Sequence, residues 1–231
     1  MREAERGTQV LLHKNRVEAE NSSLISAYPS LCVKRLGLVE YLPAWRAMQD
    51  FTARRIADTQ DELWLLQHWP VYTLGLNGKP ENLPKDGATP VIKTDRGGQI
   101  TYHGPGQIIA YLLLDMRRLS IGVRGLVRRM EQSVIDLLEG YDISAQGRID
   151  APGVYVNGSK IAALGLRIRK GCCYHGLALN VDMDLEPFRA IDPCGHPGMQ
   201  VTQLRDLGVA DSLAELSEKL SEMLTYHLSK R

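Results

Sequence analysis

The sequence has no long apolar run. Its longest, Ile108 to Leu114, is seven residues, against the roughly 18 that a membrane-spanning helix needs. It has no excess of either charge: 28 Lys and Arg against 27 Asp and Glu give a formal net charge of +1, far from the surplus of a general nucleic-acid binder. Neither a membrane nor a nucleic acid is an expected partner, and any electrostatic recognition must come from a local patch. The first thirty positions lack the apolar core of a secretory signal, and Glu3, Glu5, Glu18 and Glu20 make them too acidic for a transit peptide. Cysteine is scarce: Cys32, Cys172, Cys173 and Cys194, with no Cys-x-x-Cys pair. Reduced thiols in a cytoplasm are therefore expected. Zinc sites show paired ligands at repeated short spacings; this chain has none, and no metal is expected.

What is present is ordinary globular composition, 44% hydrophobic and 24% charged, which excludes disordered and collagen-like classes. Positions 1–30 hold polar clusters such as Asn21-Ser22-Ser23 and end at Tyr28-Pro29-Ser30. They read as a loosely attached extension. Positions 31–231 read as one continuous domain, without linker or repeat.

Three segments carry helical period. Leu42, Trp45, Met48 and Thr52 share a face, with Pro43 in the first turn, where its missing N–H costs nothing. Val123, Leu126, Val127, Met130, Val134, Leu137 and Leu138 form a second stripe, closed by Gly140. Leu213, Leu216, Leu220, Met223, Leu224 and Leu228 form a third, opened by Ser212 and Glu215 at capping-box spacing. The segments 62–74, 90–94, 107–114, 154–156, 160–169 and 172–181 read as strands. Asn157-Gly158 supplies the two positive-φ positions of a tight hairpin turn, and Lys170-Gly171 marks a second reversal. Hairpins interspersed with helices predict an α+β fold with a mixed, largely antiparallel sheet.

Three stretches break the regular pattern. The first is Arg96-Gly97-Gly98-Gln99-Ile100-Thr101-Tyr102-His103-Gly104-Pro105-Gly106-Gln107. Its glycines let a ligand approach the backbone, and Arg96 and His103 offer charge and hydrogen bonds. The spacing is not that of a P-loop. In the second, Gly158-Ser159-Lys160-Ile161-Ala162-Ala163-Leu164-Gly165, a lysine leads a small and apolar run. A lysine at the edge of a dry site is suited to proton transfer. The third, Asp192-Pro193-Cys194-Gly195-His196-Pro197-Gly198, puts a cysteine among turn residues, where an exposed thiol near a cation is nucleophilic. Cys32, Cys172 and Cys173 lie in strand-like apolar surroundings and read as incidental.

In order and spacing these stretches closely resemble the lipoyl(octanoyl) transferase family, from about Leu31 to the C-terminus. The resemblance implies the biotin/lipoate protein ligase-like fold. It implies transfer of an octanoyl group from octanoyl-acyl carrier protein to a lysine of the lipoyl domains of 2-oxoacid dehydrogenase complexes and the glycine cleavage H protein. By resemblance Cys194 carries the acyl group as a thioester and Lys160 is its proton-transfer partner. Arg96, Gly97, Gly98, Gln99, Ile100, Thr101, Tyr102, His103, Ala163, Leu164, Gly165, Gly176, Leu177 and Ala178 match substrate-binding positions. No cofactor is implied beyond the donor's own phosphopantetheine arm. Arg117, Arg118, Arg124, Arg128 and Arg129, with Arg167, Arg169 and Lys170, could form a docking patch for acidic partners. Three other readings stand beside this one: an ATP-dependent lipoate or biotin ligase, a Cys–His thioesterase using His103 or His175, and a carrier-protein-binding adaptor.

Overall fold

The computed structural model describes residues 31–79, 83–84, 87, 89–191 and 199–230. The extension at 1–30, and Asp192, Cys194 and His196, lie outside the described residues. A seven-stranded sheet forms the centre, in the order β1-β2-β6-β10-β9-β8-β7. Its strands are β1 (Cys32–Val39), β2 (Glu62–His68), β6 (Gln107–Asp115), β7 (Gln146–Gly147), β8 (Gly153–Val156), β9 (Ser159–Arg169) and β10 (Cys172–Asn180). Only the β1–β2 pair is parallel, so the sheet is mixed and largely antiparallel, as the hairpins require. A small second sheet has the order β4-β3-β5: β4 (Val91–Lys93), β3 (Val71–Leu74) and β5 (Ile100–His103).

The helices are α1 (Tyr41–Arg54), the short α2 (Met116–Leu119), α3 (Val123–Glu139) and α4 (Leu213–Ser229). Met48 of α1 packs on Trp64, Leu66, Ile109, Tyr111, Leu113, Tyr174 and Ala178, one continuous apolar cluster on one face of the sheet. Helices α3 and α4 pack against each other and reach β10, β8 and β2. Strand β6 is buried at all nine positions, which explains why its sequence runs apolar without alternating. Among the described residues no helix is long and apolar enough to cross a membrane.

The turn chemistry reads through directly. Asn157 and Gly158 have φ of 49° and 84°, and Lys170 and Gly171 have 50° and 77°, the left-handed pairs a tight hairpin needs. Ser212 and Glu215 form a reciprocal capping box at the start of α4. Strand β5 forms inside the glycine-rich stretch, where only an irregular pattern was legible. Three expectations need correction. The 62–74 run is two strands in two different sheets, broken at Trp69-Pro70. Leu42 and Val123 are exposed at 39% and 47%; Tyr41 and Ala44 fill the buried face of α1 instead. The arginine patch is partly spent within the fold. Arg118 bonds Asp61 and the carbonyls of Ala57 and Thr59, Arg129 bonds the carbonyl of Leu228, and Arg117 pairs with Asp115.

Candidate active site

The β9–β10 hairpin supplies the floor of a cleft. Its register places Ala163 opposite Ala178, Leu164 opposite Leu177 and Gly165 opposite Gly176. Two stretches read separately in the sequence are thus cross-strand partners. Small residues are dictated by close approach: a Cβ on Gly176 would lie 2.0 Å from the Ala110 carbonyl oxygen, and one on Gly165 would crowd the Arg96 side chain at 3.2 Å.

The Arg96–Gln99 loop covers this floor from the small sheet. Gly97 N–H donates to Leu166 O at 2.9 Å, tying the loop to β9. The buried Arg96 guanidinium donates to the carbonyls of Thr73 (2.6 Å), Gly97 (2.9 Å) and Gln99 (2.8 Å), and to Thr73 Oγ1. Much of its donor capacity thus holds the loop in shape. Between floor and loop lies a cleft whose lining is mostly apolar.

Of the residues matched by resemblance, the cleft is lined by Arg96, Gly98, Gln99, Ile100, Thr101, His103, Ala163, Leu164, Gly165, Gly176, Leu177, Ala178 and Lys160. Gly97 lines a neighbouring hollow beside Asp150, Ala151 and Pro152. Tyr102 packs with Tyr72 and Phe188 in a separate apolar cluster.

Part of the cleft wall is aromatic and imidazole: Tyr41, His103, Tyr111 and His175 line it. His68 stands behind them, its ring 5.0 Å from that of Tyr41 and 6.0 Å from that of His103. His68 Nδ1 lies 3.0 Å from Val39 O, so it carries the proton, and the Tyr111 hydroxyl donates to Nε2 at 2.6 Å. His103 Nδ1 donates to Gln107 Oε1 at 2.8 Å, the Gln107 amide donates to Asn180 Oδ1 at 2.9 Å, and Asn180 donates to Thr202 O at 3.0 Å. Burial holds these histidines neutral. It pushes His68 down to about 4 and His103, also repelled by His68, to about 3. His175 is likewise lowered by burial, although Asp95 opposes the shift.

Asp95 gathers one edge of the site. Its carboxylate accepts from Trp45 Nε1 (2.9 Å), Gln49 Nε2 (3.3 Å), His175 Nε2 (3.1 Å) and the Tyr174 hydroxyl. Partial burial would raise its pKa, but these four donors outweigh that and hold it well below the usual carboxylate range.

Lys160 lines the cleft from the start of β9 and is 3% exposed. Its Nζ lies 3.4 Å from the Pro152 carbonyl and 5.1 Å from the centre of the Tyr155 ring. Its backbone is bonded on both sides by the segment that follows position 198. Lys160 N–H donates to Gln200 O at 2.8 Å, and Thr202 N–H donates to Lys160 O at 2.9 Å. Before position 192, Ile191 is buried with Phe188 and Tyr102. Positions 192–198 therefore join two anchored ends, one of them bonded to the backbone of Lys160. Cys172 and Cys173 are buried; burial pushes the Cys173 thiol up to about 12, where it is inert.

Sequence reasoning missed Tyr41, Thr73, Asp95, Gln107, Tyr111 and Asn180 as site components. Two left a signal. Asn180 is a polar residue inside the apolar 177–181 run, and Asp95 directly precedes the first motif. Gln107 closes the first stretch, Tyr41 joins the site from helix α1, and Thr73 and Tyr111 join it from strands β3 and β6.

Comparison with known proteins agrees with this architecture. Residues 40–225 match the lipoyl protein ligase A/B catalytic domain. The octanoyltransferase of Nitrosospira multiformis is 63% identical over 198 residues, 86% of this chain and 92% of that protein. That of Nitrosomonas europaea is 60% identical over 200 residues, 87% of this chain and 98% of that protein. In fold, the chain is similar to the bipartite lipoate protein ligase of Thermoplasma acidophilum, described with its E2 lipoyl domain: TM-score 0.65, 18% identity, 85% of this chain and 84% of that one. A catalytic-domain match across most of the chain, joined to relatives this similar over nearly their full length, places it in the octanoyltransferase family, acyl-transferring enzymes with the lipoyl protein ligase A/B catalytic domain.

Proposed function

We propose that this chain transfers an octanoyl group from octanoyl-acyl carrier protein to a lysine of a lipoyl domain, through a thioester on Cys194. The observation that carries the reading is the placement of Lys160. It is a buried ammonium on an apolar cleft, with its backbone bonded to the segment six to eight residues past Cys194.

The chemistry fits such a pair. The Cys194 thiolate attacks the donor thioester, the bond to the carrier's sulfur breaks, and that sulfur leaves as a thiol after taking up the proton. One thioester replaces another, so the acyl group stays activated without ATP. The acceptor lysine amine then attacks, loses its proton, and expels the Cys194 thiolate as the amide forms. Lys160 moves the proton in both half-reactions. The tail lies on Ala163, Leu164, Leu177 and Ala178. The donor's own phosphopantetheine arm is the only prosthetic group required, and the reaction belongs to a cytoplasm with both protein substrates.

Intact mass of the full chain after mixing with octanoyl-acyl carrier protein tests this. The expected result is one added octanoyl group, mapped to Cys194 and discharged by a lipoyl domain. Product formed only from free octanoate and ATP would replace the reading with a ligase. Hydrolysis of the donor without transfer would replace it with a thioesterase.

A further inference from the structure

The Lys160 ammonium rests against a short stretch of backbone, Pro152-Gly153, and that stretch is held from the other side by a carboxylate. Glu131, half-buried on α3, accepts a hydrogen bond from Gly153 N–H at 3.0 Å. The same carboxylate presses on Gly147, where a Cβ would lie 2.9 Å from Oε2. Gly153 in turn has a left-handed φ of 152°. A Cβ there would lie 3.0 Å from Lys160 Cε, 3.3 Å from Nζ and 2.7 Å from Ala162 O. The chain of contact runs without a gap from helix to carboxylate, to glycine N–H, to the lysine head. Glycines at 147 and 153 allow it.

We propose that Glu131 is a positioning residue for Lys160, acting through the Gly153 N–H to fix the backbone against which the lysine ammonium lies. The proposal rests on the reading of Lys160 as the proton-transfer group. Burial raises the Glu131 pKa, and the Gly153 N–H and the nearby Lys160 charge offset only part of that shift. The hydrogen bond, not the charge alone, is what places the lysine. A misplacement of about 1 Å in such a group costs on the order of a hundredfold in rate.

The test compares Glu131→Ala, Glu131→Gln and Glu131→Asp in the full chain. It measures single-turnover acylation, aminolysis, KM for the donor, and labelling of Lys160 by an amine-reactive ester read by peptide mass. Glu131→Ala should slow both half-reactions by about ten- to a hundredfold, leave donor KM within about twofold, and change the Lys160 labelling rate. Glu131→Gln keeps an oxygen to accept from Gly153 and should stay within about threefold of the parent. Glu131→Asp keeps the charge but falls one methylene short, and should resemble Glu131→Ala. Should Glu131→Ala fail to fold, the contrast between Gln and Asp decides. Full activity with parental Lys160 labelling in Glu131→Asp, or a Gln variant as slow as Asp, overturns the proposal. A Lys160→Met variant as active as the parent would instead overturn the role of the lysine, while the labelling still reports on its placement.

Discussion

Tyr174 and His175 are neighbours in the chain, yet both donate to the carboxylate of Asp95. Consecutive side chains of a regular strand point to opposite faces. The left-handed φ of 64° at His175 breaks that alternation, at a cost of about 1–3 kcal/mol for a non-glycine residue. The shared carboxylate offsets it. Replacing Asp95 with Ala would leave four donors without their acceptor and should lower stability by about 2–4 kcal/mol, read as a drop in the urea midpoint at constant m-value.

The histidines make stability fall in mild acid. Their folded pKa values, about 4 for His68 and about 3 for His103, lie below the ordinary 6.5. The unfolded chain therefore binds protons that the folded chain refuses. Their contribution is fully present above pH 6.5 and is lost as pH falls toward 4 and then 3, on the order of 3–5 kcal/mol for each over the whole range. Denaturant titrations at pH 7.5, 6, 5 and 4.5 should show a monotonic loss. Equal stability at all four would refute it.

Arg96→Lys should disable the loop although the charge is kept. An ammonium carries three donors on one atom and cannot span the carbonyls of Thr73, Gly97 and Gln99. A loss of about 2–3 kcal/mol is expected, together with faster amide exchange at Gly97 and Gly98. Unchanged exchange would contradict the clamp.

The apolar floor sets a preference for tail length. Each buried methylene is worth about 0.8 kcal/mol, so a hexanoyl donor should lose roughly 1.6 kcal/mol, about fifteenfold in kcat/KM against octanoyl. Competition between donors in one tube measures this. Equal use of C6, C8 and C12 donors would exclude a closed pocket.

Lys160→Met keeps an unbranched apolar stem and removes the amine proposed to carry the proton. Both half-reactions should slow by about 10²–10⁴-fold. Lys160→Arg should recover part of the acylation but not the aminolysis, since a guanidinium stays protonated. Stopped-flow acylation and acceptor chase separate the two.

Much of this is legible in the sequence alone. Asn157-Gly158, Lys170-Gly171 and the Ser212/Glu215 box are local devices, and their geometry follows from a few adjacent residues. The apolar run after Lys160 pointed to the edge of a dry site, and the lysine is buried deeper than that. What escaped is non-local. Strand β5 is hidden inside a glycine-rich stretch because its partner, β3, lies about thirty residues earlier. Asp95 gains its part in the site only when α1 and β10 bring four donors to it. Gly176 is small because β6 passes 2.0 Å from where a Cβ would be, a fact of three-dimensional approach that no periodicity carries.

The bridge between Lys160 and Val201 has a kinetic consequence. Two backbone hydrogen bonds tie the lysine's strand to residues 200–202, so neither can fluctuate alone. Any excursion that peels residues 200–202 from β9 slackens the lysine's backbone in the same event.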